Sequence, residues 1–106
     1  MGQGTLEMIM GIIINAGNAK SEAMEAIQAA KEGDFESSEK KINYANDALV
    51  EAHHSQTGLL TAEAQGSAPD ISLLLIHSQD HLMTSIAFSD IAKEVISLYK
   101  RLDEKD

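Results

Sequence analysis

An all-α fold follows from three features of the sequence. Ala, Glu, Lys, Met and Leu, which lose little freedom in a helix, dominate the chain. The lone proline is Pro69. Nowhere do four or more residues alternate apolar and polar as a half-buried strand would. Two breaks divide the chain. At Glu32-Gly33-Asp34 a glycine can close one helix and an aspartate can cap the next. Gln65-Gly66-Ser67-Ala68-Pro69-Asp70 gathers turn formers and the proline in one stretch. The expectation is three helices over residues 4–32, 34–65 and 70–103, packed as an antiparallel three-helix bundle. A chain of 106 residues is one domain's worth, so residues 1–106 are read as a single unit.

Each helix has its own apolar pattern. In the first, Leu6, Ile9, Met10, Ile13, Ala16, Gly17, Met24 and Ile27 make a broad stripe, in which Gly11 and Gly17 permit close helix approach. In the second, Ile42, Ala45, Leu49, Ala52, Gln56 and Leu59 follow a 3-4-3-4-3 spacing, a narrow seam with one polar residue inside it. The third changes character along its length. After Ser89 it has an ordinary polar face in Lys93, Glu94, Ser97, Lys100 and Arg101. Before Ser89, Leu73, Leu74, Leu75, Ile76, Leu82, Met83 and Ile86 surround nearly the whole circumference. A helix apolar all round is normally buried all round, and two partner helices cannot cover it. Self-association is therefore expected, because most soluble oligomers are closed assemblies of one chain.

Composition removes several classes of chemistry. With no cysteine, thiolate metal sites, disulfides and thiol nucleophiles are excluded, leaving oxygen and imidazole as reactive groups. A formal charge of −9 argues against a nucleic-acid partner, whose phosphates are held by clustered Lys and Arg. The apolar runs Met8–Ile14 and Ile71–Ile76 are far shorter than the roughly 20 residues that cross a bilayer, and no signal segment opens the chain. The expected location is the cytoplasm, without membrane insertion. Phosphate-loop, His-Glu-x-x-His and Gly-x-Ser-x-Gly motifs are missing.

The most unusual segment is Ile76-His77-Ser78-Gln79-Asp80-His81-Leu82-Met83-Thr84, which sets two histidines and a carboxylate within the apolar half of the third helix. His77 and His81, four residues apart, share one face. Asp80 falls in angular register with Leu73, Ile76, Ala87, Ile91 and Leu98, where a carboxylate is costly to bury unless it pairs, protonates or binds a cation. In a symmetric oligomer the same Asp would recur around the axis, and like charges there must share protons or a metal. The residues alone also admit an Asp that reaches solvent at a groove edge and histidines that serve only packing. An imidazole suits phosphoryl transfer because one ring nitrogen attacks while the other donates its proton to a fixed acceptor. A second cluster, Glu51-Ala52-His53-His54-Ser55-Gln56-Thr57, holds one Glu-x-x-His pair, whereas a di-iron bundle needs two such pairs and further glutamates.

The nine-residue block resembles the signature Val/Ile-His-x-Gln-Asp-His-Leu-Met-Thr of the lactose/cellobiose family of enzyme IIA proteins of the bacterial sugar phosphotransferase system. Two further stretches agree with it: Gly11-Ile12-Ile13-Ile14-Asn15-Ala16-Gly17-Asn18-Ala19 followed by Ala29-Ala30-Lys31-Glu32-Gly33-Asp34-Phe35, and Glu51-Ala52-His53 with Gln56-Thr57. The resemblance implies a three-helix protomer assembled as a homotrimer. It implies that His77 accepts a phosphoryl group from the histidine-containing phosphocarrier protein and passes it to a cysteine of enzyme IIB, for sugar uptake through a membrane component. It further implies that Asp80 lies at the trimer axis and binds a divalent metal, taken as Mg2+. His81, Gln79 and Gln56 would be neighbours of the site, without assigned roles. Ser78 departs from the family pattern, where Ala or Gly is more usual. The Gly-x-Ile-Ile-Asn opening looks closer to cellobiose or diacetylchitobiose members than to lactose ones.

Two other functions compete on the residues. A histidine-phosphotransfer module of two-component signalling also carries its histidine on a helical bundle, but usually follows it with Lys and Gly, which Ser78-Gln79-Asp80-His81 does not supply. A non-enzymatic helical adaptor would use its histidines for packing only.

Overall fold

The turn at Glu32-Gly33-Asp34 sets the direction of the first two helices. Gly33 takes φ +84°, a left-handed conformation that residues with a Cβ adopt only under strain. The Gly33 N–H donates to the Ala30 carbonyl at 3.0 Å and the Asp34 N–H to that of Ala29 at 2.9 Å, closing the end of one helix. Asp34 then opens the next by accepting the Ser37 N–H at 3.1 Å. Hydrogen bonding from Ser37, first from its side chain and then from its backbone N–H, holds the Asp34 carboxyl below its ordinary range.

The computed structural model describes residues 2–105 as α1 (Gln3–Lys31), α2 (Phe35–Ala64) and α3 (Leu73–Lys105), with no strand among the described residues. Consecutive helices run antiparallel in a rod of 58 × 21 × 17 Å, longer than the roughly 44–50 Å that helices of 29 to 33 residues span. α3 begins three residues later than the expected 70, because Ser72 and not Asp70 is the cap. Its Oγ accepts the Leu75 N–H at 3.1 Å. The other boundaries fall within two residues of those expected.

α1 packs along both other helices, whereas α2 and α3 meet over a shorter line. At the end of the rod near the start of α3, the core is Ile9, Ile12, Ala52, Leu59 and Leu82. Fully burying an Ile or Leu contributes about 1.5–3 kcal/mol. Further along, the core becomes small: Ala19, Ala23, Ala45 and Ala92, then Ala26, Ala30 and Ile96. Alanine at this 3-4 spacing on α1 lets its neighbours approach closely. The contact line is therefore Ile9, Ile12, Ala16, Ala19, Ala23, Ala26 and Ala30, and the larger Leu6, Met10 and Met24 of the expected stripe are exposed by 36, 39 and 44 %. The α2 seam lies where its spacing places it, with Ala45, Ala52 and Leu59 buried.

α3 buries Ser78, Leu82, Ser85, Ser89, Ala92 and Ile96 against the other helices. The opposite side carries an uncovered apolar stripe. Leu73 is 83 % exposed, Ile91 and Leu98 61 %, Leu102 59 %, Ile76 55 % and Met83 48 %. This stripe continues well past Ser89, beside the exposed polar face of Lys93, Glu94, Ser97, Lys100 and Arg101 that the sequence pattern placed there. Asp80, Ile91 and Leu102 stand eleven residues apart, as do Ile76, Ala87 and Leu98, a period that keeps a stripe nearly straight along a helix. No helix is long and apolar enough to cross a membrane among the described residues.

Candidate functional site

The block Ile76–Thr84 occupies the first third of α3, and its alternating burial comes from helical geometry. Ser78 and Leu82, four apart, face inward; His77 and Asp80 face outward; His81 lies at the margin, half-buried. His77 and His81 stack with ring centroids 5.6 Å apart and planes inclined by 13°. His81 rests on α1 at Gly17, where a Cβ would come within 3.3 Å of its Nε2. Glycine at this position is what lets the imidazole lie against the α1 backbone. Burial is the main cause that holds His81 below its ordinary pKa, followed by the charges of Lys20 and His77, with Asp80 opposing them. The ring that supports His77 is therefore biased toward its neutral form.

A hydrogen-bonded chain braces the same turns from the α2 side. Ser78 Oγ donates to the Leu75 carbonyl at 2.7 Å and accepts from Gln79 Nε2 at 3.2 Å. Gln79 Oε1 in turn accepts from Gln56 Nε2 at 2.8 Å. The polar residue inside the α2 seam thus has its partner across the α2–α3 line, where packing is thinnest. The hydroxyl of Ser78 is fully used within the fold, so the departure at this position adds a bond without disturbing the histidines.

Two open apolar grooves flank the block. One is lined by Leu73, Leu74 and His77, the other by Ile71, Leu75, Ile76, Gln79, Asp80 and Met83. His77 and Asp80 therefore face different surfaces. Asp80 is exposed among apolar neighbours, within the uncovered stripe. Among the described residues no three His, Cys, Asp or Glu side chains converge. His53 and His54 lie exposed on α2.

The sequence profile of the family described as "PTS system, Lactose/Cellobiose specific IIA subunit" matches residues 7–100, across the three helices and the histidine block. The chain belongs to this family. It is 46 % identical over 99 residues to the lichenan-specific phosphotransferase enzyme IIA component of Bacillus subtilis, covering 93 % of this chain and 90 % of that one. The crystal structure of the PTS cellobiose-specific enzyme IIA from Bacillus anthracis superimposes with a TM-score of 0.95 at 44 % identity, covering 100 % of this chain and 97 % of that one. A solution structure of the IIA(Chitobiose)-HPr complex of the N,N'-diacetylchitobiose branch of the Escherichia coli phosphotransferase system matches with a TM-score of 0.82 at 38 % identity, covering 96 % of this chain and 99 % of that one. This IIA chain is thus a phosphotransferase component, built on the three-helix fold that its sequence pattern called for.

Lys20 is the residue of this region that sequence reasoning missed. Its influence on His81 arises from packing of α1 on α3, for which spacing within α3 holds no signal.

Proposed function

We propose that His77 is the phosphoryl carrier of this IIA chain, taking the group from the histidine-containing phosphocarrier protein and delivering it to a cysteine of enzyme IIB during cytoplasmic steps of sugar uptake. The observation that supports it is the His77–His81 stack. An exposed imidazole lies at the mouth of an apolar groove, with its neighbour held on α1 and biased toward the neutral state. In the transfer, a nitrogen of His77 attacks phosphorus, a new N–P bond forms as the donor's N–P bond breaks, and the donor nitrogen keeps the electron pair. Such transfer depends on positioning and charge stabilisation more than on covalent machinery in the acceptor. The HPr complex of the diacetylchitobiose relative supports the donor, and the cellobiose and diacetylchitobiose relatives support a β-linked disaccharide of that kind as the eventual substrate.

The assembly in this reading is a homotrimer whose protomers cover the apolar stripe of α3, and Asp80 faces the shared axis. Three carboxylates would offer the all-oxygen set that suits a hard divalent cation such as Mg2+. When bound, the ion would neutralise the converging charges and so stabilise the assembly; the transfer itself is assigned to His77. The test is incubation with phosphoenolpyruvate and the general phosphotransferase proteins. Acid-labile phosphate is expected on the wild type, His53→Ala and His54→Ala, and none on His77→Ala. Full labelling of His77→Ala would exclude the reading.

A further inference from the structure

The part of the bundle that carries His77 is nearly empty of positive charge. None of the chain's eight Lys and Arg residues lies within residues 1–19 or 42–92, the stretches that surround the first turns of α3. Apart from Lys20, all of them fall toward the other end of the rod, where α1 ends, α2 begins and α3 ends. A phosphoryl group on His77 would add about 1.5–2 negative charges to a region that already holds Glu7, Glu51, Glu63, Asp70 and Asp80. Charge of this kind is normally compensated where phosphoryl groups are handled.

Lys20 is the cation placed to do so. It follows Gly17 by one turn on the same face of α1, Gly17 is where the His81 ring rests, and His81 stacks on His77. A helical side chain lies over the turn before its own Cα, so the Lys20 stem leans back across Gly17 toward the imidazoles. Lys20 is half-buried, and the ion pairs among the described residues are those of Lys41 with Glu22 and Glu25, so no carboxylate claims the Lys20 ammonium. We propose that Lys20 is a positioning residue that compensates the phosphoryl charge on His77, an inference that rests on His77 being the acceptor.

The test compares wild type, K20R and K20Q as phosphoproteins by 31P NMR titration, and measures the phosphorylated fraction at equilibrium with the phosphorylated carrier protein. In K20Q the second ionisation of the phosphoryl group should move up by about half to one pH unit, and the transfer equilibrium should shift against the phospho-form by about three- to tenfold. K20R should stay close to wild type. Unchanged values in K20Q, on a wild type phosphorylated at His77, would overturn the role of Lys20 alone. Equal losses in K20R and K20Q would also overturn it, since packing and not charge would then be responsible. A wild type with no phosphate on His77 would overturn the acceptor assignment, and this inference with it.

Discussion

If the proposed homotrimer forms with Asp80 at its axis, Asp80→Leu should keep the assembly and Asp80→Lys should break it. The uncovered stripe of α3 has Leu73, Ile76, Met83, Ile91, Leu98 and Leu102 between about half and four-fifths exposed. Covering these side chains contributes on the order of 5–10 kcal/mol per protomer before the entropic cost of association. Against this stands the charge at its centre. Two carboxylates about 5 Å apart repel by roughly 3 kcal/mol at an effective dielectric near 20, and three on one axis make three such pairs. Unrelieved, that repulsion is comparable with the apolar gain, so the proposed trimer would need a cation or shared protons at its axis. Leucine removes the repulsion and extends the apolar stripe, with an expected effect between neutral and a few kcal/mol of stabilisation. Lysine restores like charge and repels divalent cations. Sedimentation of the three proteins with and without chelator reads this directly. Wild type should weaken on chelation, Asp80→Leu should be insensitive to it, and Asp80→Lys should sediment as a smaller species throughout. A monomeric Asp80→Leu protein, or an intact Asp80→Lys oligomer, would show that Asp80 does not face a shared axis.

Other consequences follow from the single chain. Leu82 is fully buried among Ile9, Ile12, Ala52 and Leu59, so Leu82→Ala should lose about 2–5 kcal/mol in denaturant unfolding, and a loss under about 1 would contradict the packing described. Ser85 Oγ is buried without a hydrogen-bond partner, so Ser85→Ala should be neutral or up to about 1 kcal/mol more stable, and a clear destabilisation would mean the hydroxyl has a partner. The Asp34 carboxyl is held low by the Ser37 cap, so its stabilisation is fully present above the ordinary value of 3.8 and is lost as pH falls through the lower folded value. Thermal melts of Asp34→Ala and wild type should therefore differ at pH 7 and converge on acidification. A constant difference would contradict the ionised cap.

The α2 seam and the turn at Gly33-Asp34 were legible because each rests on a local rule, helical spacing in one case and cap chemistry in the other. The start of α3 was less so: Asp70 and Ser72 are both good caps, and only the bond from Leu75 to Ser72 decides between them. The α1 core was placed only in part, with Ile9 and Ala16 buried as expected, for a different reason. Hydrophobic patterning weights large side chains, whereas the line that touches both neighbours is mostly alanine, and Met10 and Met24 stay outside. The histidine block stood out because charge and imidazole within an apolar helix are unusual. What sequence could not place was the tertiary support, namely Gly17 beneath His81, Lys20 beside it and Gln56 bonded to Gln79.

In the proposed relay one imidazole, His77, carries the phosphoryl group onward. Its most direct measurement is site mapping of the phosphoprotein by mass spectrometry under alkaline conditions, before and after enzyme IIB is added. One phosphate per protomer is expected, confined to His77 and lost to the enzyme IIB cysteine. Phosphate on His81, His53 or His54 in place of His77, or phosphate on His77 that enzyme IIB never removes, would contradict it.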